Sequence, residues 1–270
     1  MEQGSYERLV EVLRRYPSGL VALSGGADSS LLARAAFDAL GTRALAVTGA
    51  SPSIPAREID GARAVAAAIG IAHRVIDTHE MDDPEYRSNP NNRCYFCKKE
   101  LFGRLRDLAT AEGFAAVFSG DNADDLADYR PGRQAALEAR VAFPLQEAGL
   151  TKAQVRSLSQ ELGLPTWDKP AMPCLSSRVA YGERIEPAVL ARIDEAEQFL
   201  RGLGFATVRV RHHREVARVE VGAGDIARAV ELRELITARL RALGWPFVAL
   251  DLGGFRSGSL NRVLPVTGTP

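Results

Sequence analysis

The stretch GLVALSGGADSSLLARAAFDAL, residues 19–40, decides the fold. Its first six residues form a short apolar run that predicts a buried strand, and residues 28–40 carry apolar side chains at helical spacing. Gly25 and Gly26 lie between them and allow a tight turn with close approach of a ligand to the backbone. Because a helix N-terminus presents unbonded N–H groups and a partial positive charge, this turn predicts a site for phosphate.

The same alternation of strand and helix continues along the chain. Four short apolar runs predict strands at 19–24, 44–49, 73–78 and 115–120. Three helices are predicted between them, at 28–40, 55–69 and 94–112. Strands that alternate with helices predict parallel βαβ units, and therefore an α/β fold with a doubly wound parallel sheet. Thr151 and Gln154 fit a capping box at the start of a further helix.

The order of elements changes after residues 165–185, a stretch with three prolines and no clear period. Beyond it we predict a helix at 187–203, strands at 207–213 and 217–221, a helix at 225–243 and a strand at 247–252. This is a smaller α+β unit with an antiparallel pair of strands. We therefore expect two domains, 1–180 and 181–270, and a frayed C-terminus at PVTGTP.

Composition narrows the class of protein. The 270 residues are 46% hydrophobic and 25% charged, which is typical of a globular chain. Equal numbers of basic and acidic residues, 34 of each, argue against a dedicated nucleic-acid binder. The N-terminus is typical of an amphipathic helix rather than a signal peptide, and no apolar run approaches the roughly 18 residues that span a bilayer. We expect a cytoplasmic protein that binds neither membrane nor nucleic acid.

The motif SGGADSS, residues 24–30, provides the donors of this predicted phosphate site. It is neither a Walker A motif nor GxGxxG. The hydroxyls of Ser24, Ser29 and Ser30 can add donors to the turn, and Asp28 can cap the helix or hold magnesium. A glycine-rich turn that merely caps a helix is the alternative.

Two further segments follow predicted strands, where open α/β sheets bind ligands. In SGDNADDLADYRPG, residues 119–132, we expect Asn122, Asp124 and Asp125 to orient magnesium and pyrophosphate. The alternative is a solvated acidic turn that binds no ligand. Thr48 follows the second strand, and we expect it near the adenine or ribose.

The cysteines leave three readings open. Cys94 and Cys97 form a C-x-x-C pair at the start of a predicted helix, and Cys174 lies in the irregular loop. Such a set can be a redox or sacrificial sulfur site, part of a zinc site, or the ligands of a 4Fe-4S cluster with one iron open to hydrosulfide.

Two resemblances extend this interpretation. SGGADS, residues 24–29, resembles the PP-loop of N-type ATP pyrophosphatases, which cleave ATP between its α and β phosphates. Several segments together resemble the LarE family of ATP-dependent sulfur transferases, from the first strand to about residue 260. These segments are SGGADS (24–29), GDNADD (120–125), DYRPG (128–132), SSRVAYGERI (176–185), TVRVRHH (207–213) and DLGGFRSG (251–258).

The LarE resemblance implies a reaction. ATP, with magnesium, would adenylylate a carboxylate of pyridinium-3,5-biscarboxylate mononucleotide, and sulfur would displace AMP to give a thiocarboxylate. The product belongs to nickel-pincer cofactor biosynthesis, which serves lactate racemase maturation. The resemblance also implies a sulfide donor, an upstream carboxylase/hydrolase, a downstream nickel-insertion protein and a homo-oligomer such as a hexamer.

The resemblance assigns residues as well. Ser177, Arg209 and Arg211 would hold the substrate phosphate, and Arg178 would lie near the activated carboxylate. Glu197, Glu220 and Asp225 match acidic positions associated with a divalent metal, and Arg256 would shape the site or an oligomer contact. The ATP-binding set would be Ser24, Gly25, Gly26, Asp28, Ser29, Thr48, Asn122, Asp124 and Asp125.

The cysteine pattern resembles the three-cysteine branch of the family. There Cys94, Cys97 and Cys174 would hold a 4Fe-4S cluster for repeated turnover, whereas other relatives sacrifice a single cysteine in the loop before SSR. Three alternatives remain: a PP-loop tRNA thiolase, an amidating ligase of the NAD-synthetase type and a non-catalytic nucleotide-binding module. Salt-dependent tRNA binding would favour the first, and activity without Cys174 the second.

Overall fold

The computed structural model describes residues 3–127, 131–170 and 172–256. Residues 128–130 of the DYRPG motif, residues 257–258 of DLGGFRSG and the PVTGTP tail lie outside the described residues. The strands are β1 (Gly19–Ala22), β2 (Ala44–Ala50), β3 (Ala72–Asp77), β4 (Ala116–Phe118), β5 (Val208–His213), β6 (Val216–Val221) and β7 (Phe247–Leu250). The α-helices are α1 (Gln3–Arg14), α2 (Ala27–Leu40), α3 (Ala56–Ile69), α4 (Pro84–Arg87), α5 (Arg93–Glu112), α6 (Pro131–Glu138), α7 (Pro144–Glu147), α8 (Lys152–Glu161), α9 (Pro187–Gly202), α10 (Ile226–Glu231) and α11 (Arg233–Ala242).

The chain forms two compact units. The first contains Met1–Glu80 and Asn92–Met172, and the second contains Met81–Asn91 and Pro173–Pro270. The second unit begins after Met172 rather than after residue 180. It also includes Met81–Asn91, and no feature of the sequence predicts this. The division into domains 1–180 and 181–270 stays a prediction.

The first unit is built on a four-stranded sheet in the order β3-β2-β1-β4, with every strand parallel to its neighbours. Along β1, Leu20 and Val21 point to opposite faces and join two separate buried clusters. The sheet is therefore covered on both faces, as expected for a parallel sheet in an α/β fold. The predicted fold class is confirmed.

The strand order places the ligand-binding edge. From β1 the chain moves outward to β2 and β3, then returns to form β4 on the other side of β1. The loops that follow β1 and β4 thus leave neighbouring strands in opposite directions, which makes the crevice where doubly wound sheets bind ligands. Residues 23–26 and 119–127, the two segments singled out in the sequence, occupy these positions.

The second unit carries a three-stranded sheet in the order β5-β6-β7. β5 and β6 are antiparallel, as predicted, and β7 is parallel to β6. The single helix predicted at 225–243 is two helices, α10 and α11, separated at Leu232, where ψ is 10°. Nothing in the sequence marks this break.

Candidate active site

Gly25 fixes the shape of the phosphate loop. Its φ is 71°, in the left-handed region. A Cβ at this position would lie 3.2 Å from both the Cα and the N of Ala62 in α3. Glycine therefore meets two demands here, a positive φ and a close approach of two backbones. Gly26 follows as the N-cap of α2, and no side chain caps the first turn of this helix.

Three serine hydroxyls hold the turn. Ser29 Oγ accepts from the Ser24 backbone N–H at 3.2 Å and lies 3.0 Å from Ser24 Oγ. It also donates to the Gly26 carbonyl at 3.2 Å, as Ser30 Oγ does at 2.7 Å. These bonds close the loop on itself. A direct bond from Ser24 or Ser29 to ATP stays a prediction.

The loop after β4 contacts the first turn of α2. A Cβ on Gly120 would lie 3.0 Å from the Cα and N of Ser29, so the two backbones nearly touch. Asn122 Nδ2 donates to Asp28 Oδ1 at 3.1 Å, and the Asn122 N–H donates to Asp125 Oδ2 at 2.9 Å. The structure thus brings together Asp28 and Asn122. Asp125 accepts a backbone hydrogen bond within the acidic loop and stabilises its conformation.

Lys152 joins both acidic segments, and sequence reasoning missed it. Its Nζ donates to Asp28 Oδ2, and its backbone N–H donates to Asp124 Oδ2 at 2.9 Å. It follows Thr151, whose predicted capping box with Gln154 is confirmed. A cation in the first turn of a helix opposes the helix dipole. That unfavourable placement is the signal that could have pointed to an anionic partner.

Lys169 was also missed. Its Nζ donates to the Gly25 carbonyl at 3.0 Å and to Glu58 Oε2 at 2.9 Å. Lys169 therefore connects the phosphate loop to α3, because it bonds the Gly25 carbonyl and forms an ion pair with Glu58. Nothing local in the sequence indicates this contact, because residues 25 and 169 meet only in the folded unit.

Thr48 links two strands and a histidine. Its hydroxyl donates to the Leu23 carbonyl at 2.7 Å and lies 2.8 Å from His73 Nε2. Since its one proton is used on Leu23, the hydroxyl accepts from the Nε2–H of a neutral imidazole. Burial, followed by the charge of Arg63, lowers the pKa of His73 and favours that neutral form. A contact between Thr48 and ATP stays a prediction.

A second polar cluster lies beyond the ends of β2 and β3. Glu80 Oε1 accepts from Ser51 Oγ at 2.5 Å and from Ser53 Oγ at 2.8 Å. Glu80 is 2% exposed, and its Oε2 has no hydrogen-bond donor among the described residues. Sequence reasoning did not single out this carboxylate.

In the second unit, Arg178 holds the loop that carries Cys174. Its Nε and Nη2 donate to Glu197 Oε1 and Oε2 at 2.9 and 3.2 Å. Its Nη1 donates to the Pro173 carbonyl, to the Cys174 carbonyl at 2.9 Å and to Ser177 Oγ at 3.0 Å. Arg178 is 1% exposed and Glu197 is 0% exposed. A position of Arg178 beside the activated carboxylate stays a prediction.

Glu197 stays ionised although it is buried. Burial alone raises the pKa of its carboxyl, but the hydrogen bonds and charges of Arg178 and Arg201 outweigh this effect and lower the pKa. Arg201 Nη2 donates to Oε2 at 2.8 Å, and the Val210 N–H donates to Oε1 at 3.2 Å.

The arginines of β5 have different partners. Arg211 donates through Nε and Nη2 to Glu220 Oε2, at 3.0 and 2.8 Å, and through Nη1 to the Ser177 carbonyl at 3.0 Å. Arg209 lies over the Phe255 ring at 5.1 Å. Burial, and then the charge of Arg178, lowers the pKa of Arg209 to about 10. The two arginines among the three predicted phosphate ligands are thus buried and lie on one face of the strand.

Ion pairs and close charges connect these residues into one network. Five guanidinium groups and three carboxylates belong to it. The members are Arg178, Arg201, Arg209, Arg211, Arg218, Glu197, Glu220 and Asp251.

The expected metal ligands take other partners. Glu197 and Glu220 are engaged by arginines, and they do not form a ligand group with Asp225. Within residues 3–127, 131–170 and 172–256, no group of three or more His, Cys, Asp or Glu side chains is arranged to hold a metal ion.

The cysteines occupy two kinds of position, and all three are thiols. Cys94 is exposed and Cys97 is half-buried, both in the first turns of α5. Cys174 is half-buried and precedes a short 3-10 helix, Leu175–Arg178. The C-x-x-C pair therefore presents two thiols from one helix end.

None of the helices in the described part of the chain has the length and apolar character that crossing a membrane requires.

Comparisons with known proteins point to one family. The chain is 48% identical over 267 residues to an uncharacterized protein of Synechocystis sp., covering 98% of this chain and 99% of that protein. It is 39% identical over 257 residues to the pyridinium-3,5-bisthiocarboxylic acid mononucleotide synthase of Lactiplantibacillus plantarum, covering 95% and 93%. A more distant relative is the tRNA-specific 2-thiouridylase MnmA of Gluconobacter oxydans, 30% identical over 81% of this chain and 71% of that protein. No family model matches.

The relative from Lactiplantibacillus plantarum is 39% identical and is covered over 93% of its length. The phosphate loop also lies at the switch point of the parallel sheet. The chain therefore belongs to the LarE family of PP-loop sulfur-transferring enzymes.

Proposed function

We propose that this enzyme adenylylates a carboxylate of pyridinium-3,5-biscarboxylate mononucleotide and converts it to a thiocarboxylate, for nickel-pincer cofactor biosynthesis and lactate racemase maturation. The observation that carries the proposal is the pair of buried guanidinium groups, Arg209 and Arg211, on one face of β5. A mononucleotide ends in a phosphate monoester, whose oxygens are bound well by guanidinium groups. The printed name of the Lactiplantibacillus plantarum relative supports the same substrate class.

The first step uses the nucleotide-binding unit. A substrate carboxylate oxygen attacks the α phosphorus of ATP, the bond to the α–β bridging oxygen breaks, and pyrophosphate leaves. N–H groups of the loop at Gly25 and Gly26 would bind the phosphates. Magnesium commonly takes one or two protein carboxylates with phosphate and water, so Asp28 and Asp124 suffice as protein ligands. Lys152 lies between these two acids and would neutralise the leaving pyrophosphate.

The second step forms the carbon–sulfur bond. Hydrosulfide attacks the acyl carbon of the adenylate, the carbon–oxygen bond breaks, and AMP leaves with that electron pair. No oxidation or reduction is required. Ser177, Arg209 and Arg211 would hold the substrate phosphate, and Arg178 would lie near the acyl group.

We assign Cys94, Cys97 and Cys174 as the ligands of a 4Fe-4S cluster. A 4Fe-4S cluster with one open iron takes three thiolate ligands, which is the number of cysteines in this chain, and two of them lie near one helix end. When bound, the cluster would supply the sulfur. Zinc and a sacrificial Cys174 are the competing roles for the same residues.

The proposal extends to the setting of the enzyme. It would work in the cytoplasm as a homo-oligomer such as a hexamer, with a sulfide donor. An upstream carboxylase/hydrolase would supply its substrate and a downstream nickel-insertion protein would take its product.

The test is anaerobic purification and reconstitution with iron and sulfide. Iron and sulfide content, Mössbauer spectra, AMP release and thiocarboxylate formation by mass spectrometry would be measured together. About four irons per chain, lost in the Cys94→Ala, Cys97→Ala and Cys174→Ala variants, are expected. Stoichiometric zinc or no metal would exclude the cluster but leave ATP activation intact. AMP release without a thiocarboxylate would exclude sulfur transfer.

A tRNA thiolase is the second candidate, because the chain also resembles MnmA. Salt-dependent binding of tRNA, measured against the mononucleotide, separates the two. The zero net charge of the chain favours the mononucleotide.

A further inference from the structure

The carboxylate of Glu197 has no free position for a metal. Its two oxygens accept four hydrogen bonds: two from Arg178, one from Arg201 and one from the Val210 backbone. A carboxylate offers about four lone-pair positions, and all of them are used here. Glu197 is 0% exposed, so water does not compete for them.

The partner of this carboxylate reaches directly to Cys174. Bidentate hydrogen bonding to a carboxylate fixes the plane of a guanidinium group. The N–H groups of the third nitrogen of Arg178 therefore point in a defined direction. That nitrogen, Nη1, donates to the carbonyls of Pro173 and Cys174. The Cys174 carbonyl also accepts from Ser177 N and Ser177 Oγ, at 3.0 and 2.7 Å. Three donors therefore hold the backbone of the cysteine itself.

We infer that Glu197 is a positioning residue for Cys174. Through Arg178 it fixes the backbone on both sides of the peptide bond between Pro173 and Cys174, and this leaves the thiol mainly the rotation about its own side-chain bond. The inference rests on the proposed function for the use of that thiol. A displacement of about 1 Å at a reacting group lowers the rate by on the order of a hundredfold, so a fixed backbone at Cys174 favours the reaction. We call the bonded pair Glu197 and Arg178 the clamp.

The experiment compares alkylation of the three cysteines in one molecule. The full chain is treated with iodoacetamide in the presence of a chelator, and modification of Cys94, Cys97 and Cys174 is followed by peptide mass spectrometry. Cys94 and Cys97 belong to the other compact unit and serve as internal controls. Because the reaction needs neither ATP nor substrate, its outcome is independent of sulfur transfer.

Two variants remove the clamp in different ways. Arg178→Lys keeps the charge but cannot hold Glu197 and both carbonyls together. Arg178→Met with Glu197→Leu removes both charges of this ion pair at once, so neither of the two is left buried without the other. Arg201→Gln is the matched control, because it removes a second cation from the same carboxylate and leaves the bond between Arg178 and Glu197.

In both clamp variants we expect alkylation of Cys174 to rise about tenfold, the effect of weakening local structure by about 1.4 kcal/mol, with Cys94 and Cys97 unchanged. Cys174 of Arg201→Gln should be alkylated at the wild-type rate.

In sulfur transfer, kcat should fall in the clamp variants while KM for ATP stays unchanged. An unchanged Cys174 rate in folded clamp variants overturns the inference, and so does a common rise at all three cysteines. A wild-type enzyme without sulfur transfer but with this alkylation pattern refutes the proposed function and leaves the clamp standing.

Discussion

Replacing Gly25 by alanine tests how tightly the phosphate loop is held. Two costs add. A φ of 71° is unfavourable for any L-residue by about 1–2 kcal/mol. The new Cβ would also lie 3.2 Å from backbone atoms of Ala62, which cannot rotate away as a side chain can. Overpacking of this kind costs about 1–3 kcal/mol, so the total loss of unfolding free energy is about 2–5 kcal/mol.

The matched control is Gly113→Ala at the end of α5. Gly113 has a φ of 75°, and no described atom outside its chain neighbours lies within 4 Å of its added Cβ. This variant should lose only the backbone cost, about 1–2 kcal/mol. Urea unfolding followed by circular dichroism measures both changes, and titration calorimetry measures ATP affinity.

The ATP measurement separates loop position from general stability. A displaced loop in Gly25→Ala should weaken ATP binding by about tenfold for each 1.4 kcal/mol of lost interaction, whereas Gly113→Ala should bind as wild type. If the two variants lose equal stability and both retain wild-type affinity, contact with Ala62 does not position the loop, and the reasoning is refuted.

Three further predictions follow from single contacts. Lys152→Met should weaken ATP binding about tenfold in titration calorimetry, with partial recovery in Lys152→Arg, because the cation between Asp28 and the phosphates is lost; unchanged affinity would contradict this. The pKa of Glu197 is lowered on folding, so its ion pairs contribute stability above its ordinary value of 4.5 and lose it as pH falls through the folded value. Urea unfolding below pH 4.5 should therefore show a steeper loss for wild type than for Glu197→Gln, and parallel curves would count against the ion pairs. Thr48→Val should cost about 1–3 kcal/mol in urea unfolding, since His73 Nε2–H loses its acceptor; no change would mean that the bond is replaced.

Local patterns predicted most of the first unit. The strand at 44–49 is found at Ala44–Ala50 and the helix at 94–112 at Arg93–Glu112, because buried strands and helices differ in the period of their apolar residues. The role of Gly25 in the phosphate loop was also predictable, because a positive φ is a property of a single residue that glycine adopts readily. The break at Leu232 has no comparable mark, and so α10 and α11 were predicted as one helix.

The site was predictable only in its local parts. Gly25, Asp28 and Asn122 lie in motifs that can be recognised by themselves. Lys152 and Lys169 could not be placed, because their contacts with Asp28 and Gly25 join residues 124 and 144 positions apart and depend on how helices pack. Arg178, Arg209 and Arg211 were expected as ligands of substrate from resemblance, but their burial and the carboxylates that engage two of them are properties of the folded unit.

The segment Met81–Asn91 has a consequence for synthesis on the ribosome. Its partners lie far downstream: Tyr86 O–H is 2.7 Å from Ser176 Oγ, Asn89 Nδ2 donates to the Ala180 carbonyl at 2.7 Å, and the Arg87 carbonyl accepts from Ile185 N–H at 2.9 Å. About 90 more residues must be translated before these contacts can form, a delay of roughly 5–20 s at about 5–20 residues per second. During that interval the nascent chain carries a strip, including the later-buried Tyr86 and Asn89, that a chaperone could occupy. A stop codon anywhere before residue 176 would leave the strip permanently exposed, so truncated products should be degraded even when the parallel sheet is complete.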